Sequence, residues 1–325
     1  MNIRRFVAGS LVAIAFAPFA VDAKSGGNGG KVRQPTAELF VSDLQGASGS
    51  TIGPDGALYV TEGAIGVISR IDLRTGIKTT FASGLPNAVA PIGGVIDVAF
   101  IGKTAYALVT LVGADVGGSA DVGIYRVNGP NHELVANIGE FAINNPPHTD
   151  FEVLTGLQFA MEVYRGEFLV TDGHHNRLLR ATLDGTVSEV IGFANIVPTG
   201  LEVLGRTVLM AQAGPVPHLP EDGKIIAFLP KFAFIEAIAS GAPLLVDVEF
   251  GKRHTLYGLS QGDFPDGEPP ATPALPNTGA LVQVNSEGGF DVVVEGLNLP
   301  TSLEIVHDTA FVVNLVGEVW RIRGL

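Results

Sequence analysis

The feature that most constrains the fold is a stretch of sequence that recurs six times along the chain. Each copy begins with a small or acidic residue, continues with alternating apolar positions and a turn, and ends in a second β-rich run. The copies begin at Gly49, Asp97, Gly156, Gly200, Asp247 and Ser302, at intervals of 48, 59, 44, 47 and 55 residues. Short strands and glycine-rich turns at this period are typical of a β-propeller. The sequence therefore predicts an all-β, six-bladed β-propeller.

The last copy predicts how the ring closes. Five copies are followed by a fourth strand, such as "TFASGL" in the first, whereas the sequence after the sixth copy stops at Leu325. The segment "LFVSDL" at residues 39–44 resembles "TFASGL" and precedes the first copy. We expect this N-terminal strand to complete blade six, because an open ring would leave unpaired strand edges exposed.

The N-terminal segment has the pattern of an export signal. Arg4 and Arg5 precede an apolar run from Phe6 to Val21, and Val21 and Ala23 suit signal-peptidase cleavage. This run is too short to span a membrane comfortably. We therefore predict a signal peptide at residues 1–23, a flexible leader at 24–35 and the propeller at 36–325, in a periplasmic or secreted protein with no membrane span after signal removal.

Composition narrows the range of partners. The formal net charge of −13 argues against nucleic acid, since an acidic surface repels phosphate. The chain contains no cysteine, so it has neither disulfides nor thiolate metal ligands. The expected partner is a small molecule or a periplasmic protein, and the expected state is a monomer.

The stretch "LVTDGHHNRLLRATLDGTVSEV" at residues 169–190 invites a metal-site interpretation, because imidazole and carboxylate are good metal ligands. Neighbouring side chains of an extended chain point to opposite faces, so His174 and His175 would not reach one ion without a sharp turn. Asp172, Asn176 and Arg177 also match the NHL repeat, which this stretch resembles. In that repeat the Asp and Asn bond the turn backbone, which favours an architectural role.

A wider resemblance covers most of the chain after the signal. The motifs "GPDGALYVTE", "NNPPH", "VTDGHHNRLLRATLDGTVSEV", "VPTGLEV" and "LPTSLEIV" followed by "GEVWRIRG" occur in an order that resembles the ScyD/ScyE family of exported bacterial propellers. Membership would imply a six-bladed exported protein connected with a pathway such as that of the pigment scytonemin. It would imply no catalytic residues, because that family has none established.

In a propeller, the loops that enter each innermost strand and those that join the second and third strands emerge on one face, here called the loop face. The longest irregular segments fall there, so we expect ligands at this face or at the channel mouth. Aligned strand ends supply most of the candidate ligand-binding residues, and one long loop supplies a histidine. The candidates are Glu62, Asp97, His148, Asp172, Gln212, Asp247 and Asn314.

Asp97 and Asp247 belong to opposite blades and begin strands where other copies have glycine or serine. Two carboxylates that face a channel would suit a divalent cation or a polar ligand, and they are the candidate metal ligands. The alternative is that each only accepts backbone N–H groups at a strand start. His148, in "NNPPHTD", is expected near the channel mouth.

No catalytic motif emerges from the chain: G-x-S-x-G and H-E-x-x-H patterns are both absent. The primary expectation is a small-ligand-binding or accessory protein. Two alternatives remain open at the level of the sequence. One is a metal-dependent hydrolase or lactonase, or a strictosidine-synthase-like enzyme, that uses the channel mouth. The other is a protein-interaction scaffold.

Overall fold

The structure is a computed structural model that describes residues 35–231, 235–269 and 272–325. The predicted signal peptide at 1–23 and leader residues 24–34 lie outside the described residues. Within those residues, no helix combines the length and the apolar composition needed to cross a bilayer.

The chain forms six four-stranded antiparallel sheets arranged in a ring, which confirms the predicted six-bladed propeller. Blade one contains β2 (Ala47–Ile52), β3 (Leu58–Glu62), β4 (Val67–Ile71) and β5 (Lys78–Ala82). Blade two contains β6 (Gly94–Ile101), β7 (Thr104–Thr110), β8 (Gly123–Asn128) and β9 (Asn131–Asn137), followed by α1 (Ile138–Asn144). Blade three contains β10 (Gln158–Tyr164), β11 (Glu167–Asp172), β12 (Arg177–Ala181) and β13 (Val187–Gly192).

The remaining blades follow the same order, with the first strand innermost. Blade four contains β14 (Pro198–Leu204), β15 (Thr207–Gln212), β16 (Lys224–Phe228) and β17 (Ile235–Ser240). Blade five contains β18 (Leu245–Phe250), β19 (Leu256–Ser260), β20 (Gly279–Val284) and β21 (Phe290–Leu297). Blade six contains β22 (Pro300–Val306), β23 (Thr309–Asn314) and β24 (Val319–Arg323), and β1 (Thr36–Val41) pairs with β24 as its outer strand. Short 3-10 turns lie at Ala114–Val116, Pro220–Asp222 and Lys252–His254.

The burial of each strand follows its place in a blade. The second strand β3 is buried at all five positions, because neighbouring blades cover both of its faces. The outer strand β5 is exposed at three of its five positions. An apolar cluster fills each of the six interfaces between adjacent blades, for example Tyr59 of blade one with Val98 and Ala107 of blade two. The hydrophobic core is therefore a ring of layers around the axis, and it leaves the innermost strands to line a channel.

Each innermost strand contains a register shift against its neighbour, for example between Val95 and Asp97 in β6 and between Leu245 and Asp247 in β18. An irregularity of this kind re-aims the side chains beside it. The residues within or directly after the shift include those that line the channel.

Candidate functional site

The central channel contains a cavity of about 220 Å³ that is bounded by the innermost strands of all six blades. This is smaller than the roughly 300–1,000 Å³ typical of sites for drug-sized molecules, so the space suits a metabolite-sized ligand or ordered water. Six carboxyl groups line the cavity: Asp97, Glu162, Glu202, Asp247, Glu249 and Glu304. No lysine, arginine or histidine lies among the described residues that line it.

Asp97 and Asp247 form the first layer of channel carboxyls and have matching contacts. Asp97 Oδ1 accepts the N–H of Val98 at 2.8 Å, and its Oδ2 accepts the N–H of Met161 in blade three at 2.7 Å. Each aspartate therefore accepts backbone N–H groups, links two blades and lines the channel at the same time. The predicted strand-start position is wrong, because Asp97 and Asp247 lie inside β6 and β18, directly after the register shift.

In blade five, Asp247 repeats the pattern of Asp97. It accepts the N–H of Val248 at 2.9 Å and that of Leu303 in blade six at 2.7 Å. Glycine makes room for both carboxyls. A Cβ on Gly49 would lie 2.4 Å from Asp97 Oδ1, and one on Gly200 would lie 2.3 Å from Asp247 Oδ1.

Four glutamates, Glu162, Glu202, Glu249 and Glu304, form a second layer two residues further along the innermost strands. They occupy equivalent positions in blades three to six, whereas blades one and two have Thr51 and Ala99 there. This second layer is therefore one-sided, although Asp97 adds a carboxyl from blade two to the first layer. These glutamates were not among the predicted site residues, although an apolar-Glu-apolar alternation in four copies of the repeat marks them.

The enclosed position of the channel raises the pKa of most of these carboxyls. Burial raises the pKa of Asp97 to about 7 and that of Asp247 to about 8, even though backbone N–H groups oppose the shift. Burial, followed by the charge of Glu202, raises the pKa of Glu162 to about 8. At neutral pH the channel therefore retains protons that free carboxyls would have released.

The pKa values of Glu249 and Glu304 are raised by the same two causes, burial and the neighbouring channel carboxyls. Burial raises the pKa of Glu249 well above its ordinary value, and a hydrogen bond shared with Glu202 adds to the effect. Burial also raises the pKa of Glu304, and the charges of Asp247, Glu162 and Glu202 raise it further. Asp97 is 8% exposed and the other five carboxyls are only partly buried, because the cavity itself reaches them. Their partial exposure to the cavity therefore weakens the repulsion between ionised carboxylates.

The carboxyls do not form a ready-made metal cage. Across the described part of the chain, no three His, Cys, Asp or Glu side chains are grouped as they would be around a bound metal ion. Metal binding by Asp97 and Asp247 stays a prediction.

The other predicted ligand-binding residues lie outside the cavity lining, and three of them, Glu62, Gln212 and Asn314, bond local groups. Glu62 accepts the N–H of Gln45 at 2.8 Å, and Gln212 donates to the carbonyl of Asp222 at 3.1 Å. Asn314 accepts the N–H of Glu318 at 2.9 Å. Their aligned polar character reflects a shared place at the end of a second strand. The remaining candidates, Asp172 in blade three and His148 on an exposed loop, are not brought together with the channel pair.

Asp172 belongs to a buried ionic group in blade three. Arg177 Nε lies 3.2 Å and His175 Nδ1 lies 3.1 Å from Asp172 Oδ2, and all three side chains are almost fully buried. Burial alone would raise the pKa of Asp172, but the hydrogen bond of His175 and the charges of His175 and Arg177 hold it below its ordinary value.

The two adjacent histidines hold the loop that enters blade three from two sides. Nε2 of His174 accepts the N–H of Val153 at 3.1 Å, and Nε2 of His175 donates to the carbonyl of the same residue at 2.9 Å. Burial, followed by the charge of His175, lowers the pKa of His174, which suits an acceptor nitrogen. Both imidazole rings therefore stabilise the loop that enters blade three.

Comparison with known proteins identifies the fold and nothing finer. No protein-family model and no curated protein sequence matches the chain. Similar solved structures include virginiamycin B lyase from Staphylococcus aureus, with 13% identity and a TM-score of 0.53 over 89% of this chain and 99% of that one. A gluconolactonase from Xanthomonas campestris gives 11% identity and a TM-score of 0.61 over 88% and 89%. The PQQ-bound aldose sugar dehydrogenase from Streptomyces coelicolor gives 12% identity and a TM-score of 0.58 over 89% and 98%.

Proposed function

We propose that this propeller binds a small cationic ligand in its central channel. The observation that carries the proposal is the meeting of six carboxyl groups, from five innermost strands, in one cavity whose described lining has no cationic side chain. A ligand with one or two ammonium groups would supply the missing positive charge. It would also use the four glutamates of the second layer, in blades three to six, on the side of the channel away from the neutral Thr51.

The raised pKa values give this binding a distinctive pH dependence. An unoccupied channel holds protons on carboxyls such as Glu162, whose pKa is about 8. A positive charge beside these groups favours their ionised form, so binding lowers their pKa values and releases protons. Affinity for a cation should therefore rise from about pH 6 to about pH 8.5.

Isothermal titration calorimetry with 1,4-diaminobutane, and separately with Ca²⁺, tests the proposal. Repeating the titration in buffers of different ionisation enthalpy measures the protons released. We expect Glu249→Gln and Glu304→Gln to weaken diamine binding by about tenfold or more, because each removes one ionisable carboxyl. Glu295→Gln, on the exposed outer strand of blade five, is the matched control and should bind as the unaltered protein does.

Either of two results would contradict the proposal. One is that neither cation binds at about pH 8.5. The other is that the channel variants and the Glu295→Gln control bind equally. Binding of Ca²⁺ with no response to the diamine would instead favour a metal site, and would restore Asp97 and Asp247 as its first candidate ligands.

The cellular setting is proposed on the sequence alone. The N-terminal pattern supports an exported protein, and the ordered motifs support an accessory role of the ScyD/ScyE type in a pathway outside the cytoplasm. N-terminal sequencing of the protein recovered from its host would test export, since cleavage should follow Ala23. The lyase, lactonase and dehydrogenase activities belong to the structural neighbours, whose low identity carries over only the fold.

A further inference from the structure

The loop face and the opposite face, here called the turn face, differ sharply in charge. Loops and short helices on the loop face contain twelve acidic residues and, in their described stretches, no lysine or arginine. The acidic residues are Asp43, Asp115, Asp121, Glu140, Asp150, Glu152, Glu221, Asp222, Asp263, Asp266, Glu268 and Glu318. The two cations nearest this face belong to strands: Arg177 is buried in its ion pair, and Lys224 is partly buried.

The turn face has a mixed charge. Its turns, which join first to second strands and third to fourth strands, contain seven basic and five acidic residues in their described stretches. The basic residues are Arg74, Lys103, Arg165, Arg206, Lys231, Lys252 and Arg253, and the acidic residues are Asp55, Asp72, Asp184, Glu287 and Asp308. The strong negative charge of the protein is therefore concentrated on the loop face.

Large apolar side chains are exposed on the same acidic face. Eight of them lie in its loops and are 40–54% exposed: Ile65, Val89, Ile143, Leu154, Val216, Leu219, Leu275 and Val316. Only two of comparable exposure, Ile77 and Leu183, lie in the described turns of the opposite face. Exposed apolar groups gathered on one face mark an interaction surface more often than scattered ones do.

Part of this surface is held together by backbone hydrogen bonds. Leu44 N–H donates to Gly317 O at 3.0 Å, which ties the loop of Val316 to the segment that enters blade one. Gly63 N–H donates to Gly46 O at 2.9 Å, which ties the same segment to the loop of Ile65. Ala88 N–H then donates to Gly63 O at 2.9 Å, beside Val89. The three apolar side chains therefore form one arc that is ordered before any partner arrives, which lowers the entropic cost of binding.

A second arc lies over blades four and five. The two long loops there pack together through His218 and Phe264, whose ring centroids are 5.0 Å apart. Leu219 and Leu275 are exposed on this arc. The same two loops contain Glu221, Asp263, Asp266 and Glu268, so apolar side chains and negative charges occur together in this part of the face.

We propose that the loop face is a docking surface for a basic, amphipathic polypeptide. Apolar side chains of the partner would cover the two arcs, and its lysines or arginines would meet the acidic loops. Charge complementarity selects this occupant. Nucleic acid and anionic membranes would be repelled. A second copy would offer its turn face, whose seven basic and five acidic residues nearly balance. The surface is separate from the channel carboxyls, so the two proposals stand independently.

Fluorescence anisotropy with designed peptides tests the surface. The probe is a labelled amphipathic peptide of leucine and lysine, and the comparison peptides are a lysine/serine peptide and a leucine/glutamate peptide of equal length. We expect the leucine/lysine peptide to bind at least about tenfold more tightly than either comparison, because both contact types contribute. Raising the salt concentration should weaken but not abolish its binding, since the apolar part persists.

Matched variants locate the binding site. The loop-face variant combines Leu219→Ser, Leu275→Ser, Glu221→Lys and Glu268→Lys, and it should lose about tenfold or more in affinity. The turn-face control combines Ile77→Ser, Leu183→Ser, Asp184→Lys and Glu287→Lys, and it should bind within about twofold of the unaltered protein. Thermal melts verify that both variants are folded, and Leu219→Ser alone, with a partial loss, replaces the combination if it is not.

Three results would overturn this proposal. Equal loss in both variants would mean that the peptide responds only to overall charge. Tighter binding to anionic vesicles than to the peptide would make the face a membrane surface. Concentration-dependent dimerisation that only the loop-face variant abolishes would make a second copy the occupant.

Discussion

Asp97 and Asp247 have the same contacts in opposite blades, since each carboxyl accepts the N–H of the following residue and an N–H of the next blade. The two functions expected of these residues, acceptor of backbone N–H groups and channel-lining group, therefore coexist in one side chain. Burial nevertheless raises the pKa of both aspartates to about 7 and about 8. The same groups that link the blades thus make the channel sensitive to pH.

The channel predicts that the protein loses stability as pH rises through about 7 to 8. A carboxyl with a raised folded-state pKa keeps its proton longer in the folded chain, so its stabilising effect is complete below its ordinary pKa and disappears above the raised value. We expect the melting temperature to fall by roughly 2 °C or more between about pH 6 and about pH 9. Differential scanning fluorimetry across that range measures the fall.

A glutamine variant tests whether the channel carboxyls cause this fall in melting temperature. Glu249→Gln cannot ionise, so its melting temperature should depend less on pH and exceed that of the unaltered protein at about pH 9. Glu295→Gln, on an exposed outer strand, should retain the original slope. A slope that is the same in all three proteins would show that the channel carboxyls do not control this pH dependence.

The close approach of Gly200 to Asp247 predicts that a Cβ at position 200 lowers the stability of the fold. The Cβ of Gly200→Ala would lie 2.3 Å from Asp247 Oδ1 and 2.6 Å from its Cα, so the strand or the carboxyl must shift. We expect a loss of about 1–3 kcal/mol in the free energy of unfolding by urea denaturation. Gly289→Ala is the control, because its Cβ would meet nothing closer than 3.6 Å. Equal stability of the two variants would mean that the inner strands accommodate the extra carbon.

The repeat allowed the blades to be predicted because a strand pattern of fixed period leaves few other ways to bury six apolar runs. It also placed Asp97 and Asp247 in the channel, since they depart from the glycine or serine of the other copies. The glutamate layer was overlooked because Glu162 or Glu304, taken singly, looks like a solvent-facing residue of an edge strand. Only the ring arrangement shows that the innermost strands of the six blades all border one channel.

Distant partners were beyond the reach of sequence reasoning. The chain distance between Val153 and His175 is 22 residues, yet the histidine donates to that carbonyl. The bond depends on how the loop folds back over blade three, and no local pattern encodes it. Asp172 was correctly placed at a turn, and Arg177, its cross-strand neighbour in the same hairpin, belongs to the same motif. The contact of Arg177 with Asn145 O, 32 residues away, is set by tertiary packing.

The buried pair of Asp172 and Arg177 predicts an asymmetric mutational response. Asp172→Ala removes the nearer of two carboxylates from the buried guanidinium and leaves Glu189, 3.7 Å from Nη1 of Arg177. This loss should cost about 3–5 kcal/mol in the free energy of unfolding. The double variant Asp172→Ala/Arg177→Met removes both charges and should be at least about 1 kcal/mol more stable than the single variant. Urea denaturation of both proteins measures the difference. A double variant less stable than Asp172→Ala would show that Arg177 stabilises chiefly through Asn145 O, which its Nη1 contacts at 2.7 Å.

The outer strand of blade six predicts unequal effects of two N-terminal truncations. Glu38 bonds Arg321 Nε at 2.7 Å, the Arg321 guanidinium lies 4.2 Å from the centre of the Phe40 ring, and Val41 is 8% exposed. Removing residues 1–34 leaves these contacts intact and should change the melting temperature little. Removing residues 1–42 deletes β1 and uncovers the edge of β24, so it should cost about 2 kcal/mol or more and promote association through the bare edge. Thermal melts with light scattering compare the two proteins, and equal melting temperatures would mean that β1 is not needed to close the ring.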